Sequence, residues 1–88
     1  MNDKIIQRNM EMVTAVTRFI LERPYLVSQL PRDFRLVILP EDDRELSQYN
    51  LDLLQKHETS GKPVVIARLS MQADWTKEPP NMYVPVAA

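Results

Sequence analysis

The chain has 88 residues, 44% of them apolar, with eleven basic and twelve acidic side chains and a net charge of −1. Such a length bounds it to one domain with a modest core, and so balanced a charge leaves no electrostatic footprint for nucleic acid or an anionic membrane. There is no cysteine, which excludes disulfides and thiolate metal sites, and no apolar run long enough to span a bilayer, so a cytoplasmic protein without membrane or nucleic-acid partners is expected.

Asp3 suits the N-cap of a long helix running to about Glu22. Pro24 stops it, since proline lacks an N–H and disfavours helical backbone in Arg23. At about 100° per residue, Ile6, Met10, Val13, Thr17 and Ile20 form one apolar stripe. Ile5, Met12, Val16 and Phe19 form a second stripe beside it. Together they make a face roughly 180° wide, against about 100° for a helix resting on one core. A face that wide predicts a second subunit. The second stripe is taken as the outer one, so Met12, Val16 and Phe19 are expected at a homo-oligomer interface. Asn9 falls near the middle of the face, where one polar residue can set the register between helices.

Pro24 also suits the first position of a short helix over Tyr25 to Leu30. "FRLVIL", Phe34 to Leu39, reads as a strand buried on both faces, and Pro40 closes it. A helix from about Asp43 to Glu58 follows, with Leu46, Tyr49 and Leu53 inward and Asn50 on the flank. Gly61, the only glycine, sits where a left-handed stop is wanted. "KPVVIARLS" is a second strand, and strand–helix–strand of this spacing is a parallel βαβ unit. The domain spans residues 1–72. Residues 73–88 form an extended tail rich in proline and free of glycine. Its Trp75 and Tyr83 suit either docking on the domain or recognition of a partner, and "MYVPV" suits a sheet edge. Two strands alone are marginal, so the tail or a second subunit is expected to complete the sheet.

The acid-rich turn "PEDDRE" is the feature closest to chemistry. Asp42 and Glu45 have capping-box spacing, with Asp42 as the cap, and acids in a first helical turn meet the positive end of the helix dipole. That structural reading accounts for nearly every carboxylate. The rival reading is a divalent cation held by Glu41, Asp42 and Asp43 at the end of a parallel strand, or a ligand held there with Arg68. Arg68 itself reads either as a solvent-facing or edge residue, or as a buried partner of Glu41 or Asp43. His57, the only histidine, has no evident catalytic partner and suits the negative end of its helix.

"LPEDDREL", Asn50 and "SGKPVVIARL" together resemble a small family of uncharacterised prokaryotic α/β proteins over about residues 5–70. The resemblance implies the same architecture and carries no activity. The expectation is therefore an α/β domain acting as a homo-oligomeric interaction or regulatory protein. No enzyme activity and no cofactor are expected. Asn9, Met12, Val16, Phe19, Trp75 and Tyr83 are its candidate interface residues.

Overall fold

The computed structural model describes residues 3–56 and 61–84. Six elements follow in order: α1 (Asp3–Leu21), α2 (Pro24–Gln29), β1 (Arg35–Pro40), α3 (Arg44–Lys56), β2 (Val64–Leu69) and β3 (Asn81–Tyr83). β1 and β2 run parallel, from Arg35 opposite Val64 to Pro40 opposite Leu69, and α3 makes the crossover that a parallel pair requires. β3 adds to β2 antiparallel, with Ile66 opposite Tyr83 and Arg68 opposite Asn81. The order β1-β2-β3 makes β2 central. This is an α/β fold whose small sheet is completed by the C-terminal segment. No helix among the described residues is long and apolar enough to cross a membrane.

The core forms where one stripe of α1 meets one face of the sheet. Ile5, Met12, Val16 and Ile20 pack with Ile38, Leu46, Ala67 and Leu69, and half-buried Leu36, Trp75 and Met82 close around them. Phe19 is buried as well, with its ring edge-on to Trp75 at 5.8 Å and the Arg23 guanidinium 3.7 Å from its centroid. This corrects the expectation for Met12, Val16 and Phe19. They are core residues of their own chain, and Val16 is 0% exposed. With β3 and Trp75 adding cover, the sheet layer is broad enough to take this whole stripe. The surplus apolar surface of α1 lies at Met10 and Val13 of the other stripe and at Leu21, while Ile20 of that stripe joins the core.

Hydrogen bonding explains how β1 tolerates its proline. Arg35 N–H donates to the Pro63 carbonyl at 2.9 Å and Glu41 N–H to the Leu69 carbonyl at 2.7 Å. Backbone groups alternate along a strand, so Leu36, Ile38 and Pro40 turn theirs to the open edge. A residue without an N–H costs the ladder nothing there. α3 covers that edge: Asn50 Nδ2 donates to the Ile38 carbonyl at 2.8 Å, and Ser47 Oγ to the Pro40 carbonyl at 2.6 Å. Asn50 also donates to Asn9 Oδ1 at 3.1 Å. Asn9 therefore joins α1 to α3 inside one chain. In β2, Val65, Ala67 and Leu69 are buried while Arg68 is exposed on the opposite face.

Candidate functional site

The acid-rich turn divides its carboxylates among separate structural tasks. α3 starts at Arg44, so the cap is Asp43, whose Oδ1 accepts the Leu46 N–H at 3.1 Å. Asp43 Oδ2 also takes Arg8 Nε at 3.1 Å, and Glu45 takes the other end of that guanidinium at 2.8 Å. The Glu45 hydrogen bond, with the Asp43 charge behind it, raises the Arg8 pKa. Arg8 thereby fastens α1 to the first turn of α3.

Asp42 is not the cap, and the expected pairing of Asp42 with Glu45 does not form. The helix begins one residue later than that pairing needs. Asp42 instead reaches across to the loop after β2. It accepts the Met71 N–H at 2.9 Å, the Gln72 N–H at 3.0 Å and the Ser70 hydroxyl at 3.1 Å. Chiefly through the Met71 N–H, these donors hold its carboxyl below the usual aspartate range. Glu41 is exposed and lines an open concavity of about 390 Å³ with Arg44 and Arg68. Three adjacent carboxylates thus point to three different places. Among the described residues no three acidic or histidine side chains converge as a metal site would need. His57 lies outside the described residues.

The loop that Asp42 grips also carries Trp75. Its indole Nε1 donates to the Ser70 carbonyl at 2.9 Å, and its ring lies half-buried against the core. Asp74 closes the next turn, accepting the Thr76 hydroxyl at 2.6 Å and the Thr76 N–H at 3.0 Å. Of the expected interface residues, Asn9 and Trp75 are thus engaged within the chain. Tyr83 is 37% exposed on β3 and remains accessible.

The feature without a structural task is an apolar face on α1 and α2. Met10, Val13 and Leu21 of α1 and Tyr25 and Val27 of α2 are 65, 39, 68, 61 and 48% exposed. Between the helices and the start of β1 lies a groove of about 570 Å³, walled by Val13, Leu21, Val27, Phe34 and Leu36, with Arg32 as its one charged residue. A second concavity of about 430 Å³ continues along α1 over Thr14, Thr17 and Arg18. Exposed apolar surface of this kind is the chemistry on which proteins take partners, membranes or apolar ligands. The charged residues on these walls are Arg32, Arg18 and Glu22, and no histidine or thiol lines them, so the face offers shape and apolar area more than reactivity. Sequence reasoning missed Leu21, Tyr25, Val27 and Phe34. The available signal was α2 itself, a short apolar helix that buries none of its residues.

No curated protein and no solved structure matches the chain. A family described only as a family of unknown function, DUF5647, matches residues 4–77, which takes in all three helices, both parallel strands and the Trp75 loop, and the chain belongs to that family.

Proposed function

We propose that this protein is a small interaction protein that self-associates through the apolar face of α1 and α2 and catalyses no reaction of its own. The observation that carries this reading is the exposed side of α1. Met10, Val13 and Leu21 stand in solvent beside an apolar groove, while Ile5, Met12, Val16, Phe19 and Ile20 are buried. Leaving that much apolar area in water is unfavourable by about 25 cal/mol per Å², and a second copy is the partner always present at matching concentration. The fate of the acidic turn supports the non-catalytic part: Asp42 and Asp43 spend their oxygens on backbone and on Arg8.

Sedimentation velocity across a micromolar concentration series tests the reading. The expected result is a reversible rise in sedimentation coefficient from one chain toward two. A single 10.3 kDa species at every concentration would overturn it.

A further inference from the structure

The self-association proposed above leaves open how two copies meet, and α1 carries enough detail to answer. Met10, Thr14, Thr17 and Leu21 are spaced four, three and four residues apart, the spacing of a helix seam. All four are exposed. Of the buried positions, Ile5, Met12 and Phe19 lie about 150–170° round the helix from that seam, Val16 about 130° and Ile20 about 90°, so a second helix can pack on the seam from the side away from the core. Thr14 is prepared for such a contact. Its hydroxyl donates back to the Met10 carbonyl at 2.9 Å, which satisfies the polar atom within the helix.

Glu11 and Arg18 flank the seam on one side, seven residues apart and opposite in charge. Both are exposed, and neither forms an ion pair among the described residues. We infer that two copies pair α1 against α1 in antiparallel orientation, about a two-fold axis between Thr14 and Thr17. In that arrangement Met10 meets Leu21 of the second copy and Thr14 meets its Thr17. Glu11 meets its Arg18, twice by symmetry. A parallel pair would set Glu11 beside Ile6 and Val13 of the second copy and leave it with only the Gln7 amide of its own chain, at 3.3 Å, and no opposite charge. Small threonines at the crossing let the helices approach closely. Met10, flexible and apolar, fills the space between Leu21 and Val27 at the groove mouth of the other copy.

This inference rests on the self-association reading, and its test separates the two. The charge-reversed variants Glu11→Arg and Arg18→Glu are each expected to weaken the dimer by about tenfold, since each turns two attractive pairs into repulsive ones. An equimolar mixture of the two variants restores both pairs and is expected to recover wild-type affinity within about threefold. Far-ultraviolet circular dichroism and melting of each variant check that the fold is intact. The chain has no cysteine of its own, so disulfide trapping reports the direction of the helices. Chains carrying Thr14→Cys mixed with chains carrying Thr17→Cys should form predominantly the mixed disulfide. A monomeric wild type would sink both the reading and the inference. A wild-type dimer that is indifferent to the charge reversals, or that traps Thr14→Cys with itself and Thr17→Cys with itself, would overturn the antiparallel pairing alone.

Discussion

Replacing Asn50 by alanine tests how α3 is held to the sheet edge. Asn50 is 6% exposed, and its two amide hydrogens go to Ile38 O at 2.8 Å and Asn9 Oδ1 at 3.1 Å. Each bond contributes about 1 kcal/mol net, and removing the donor leaves the Ile38 carbonyl unanswered on an edge that α3 covers. The expected loss is about 2–3 kcal/mol, equivalent to a melting temperature lower by roughly 10–20 °C for a domain of this size. Asn9→Ala removes one of the two bonds and should cost about 1 kcal/mol or less. The double variant should show a coupling of about the same size. Asn50→Asp keeps the shape but sets a carboxylate against two oxygens. It should cost more than alanine at neutral pH and recover in part when acidified, as protonation returns one donor. Urea denaturation at fixed protein concentration measures all four, with an unchanged slope showing that the folded state is the same. Losses under about 0.5 kcal/mol for both Asn50 variants would refute the reasoning, because that is the scale of an ordinary surface change.

Further outcomes are expected elsewhere in the chain. Trp75 packs edge-on to Phe19 at 5.8 Å, so its emission should be blue-shifted and protected from acrylamide and should red-shift on unfolding. Trp75→Ala should cost about 3 kcal/mol, and free quenching in the native state would contradict docking. The Asp42 carboxyl is held below the ordinary range, so it stabilises the fold above that range and loses this effect as pH falls through its folded value. Asp42→Asn should flatten the acid limb of the stability–pH curve, by no more than about 1 kcal/mol because solvent screens an exposed carboxylate; an unchanged limb would count against the Asp42 grip. Gly61 has φ of 82° and open space where a Cβ would stand. Gly61→Ala should therefore cost about 1 kcal/mol from backbone strain alone, and a neutral result in urea would argue against the left-handed conformation.

The parts of this fold legible in the sequence were those set by local chemistry. "FRLVIL" and "PVVIARL" are β-branched runs bounded by proline or glycine, and a helix-length segment between them leaves little choice but a parallel pair. The two stripes of α1 were legible too. Which of them faces the sheet was not, because periodicity gives an angle round a helix and not the direction of its neighbour. The same limit hid Asn50. It reads only as a polar residue flanking the inner face of its helix, and the open edge of β1, with its Ile38 carbonyl in need of a donor, makes it a buried residue. The cap fell to Asp43 and not Asp42 over one residue of helix start, a shift that sequence patterns do not resolve, and the reach of Asp42 to the loop after β2 depends on tertiary placement. Trp75 was read as a candidate anchor, but its ties to Phe19 and the Ser70 carbonyl depend on tertiary placement.

The central claim is that Ile5, Met12, Val16, Phe19 and Ile20 of α1 make the core, and that its exposed side, with Met10 and Leu21, makes the contact with a second copy. Val16 is 0% exposed and Leu21 68% exposed, so glutamate at each position separates the two roles in one paired sedimentation and circular-dichroism measurement. Val16→Glu places a charge in the core at a cost of several kcal/mol, a large share of a stability of about 5–15 kcal/mol, and should unfold the chain. Leu21→Glu should keep the wild-type spectrum and melt, yet sediment as one chain at concentrations where the wild type sediments as two. A folded Val16→Glu variant that has lost only its self-association, beside a Leu21→Glu variant that still dimerises, would contradict the account.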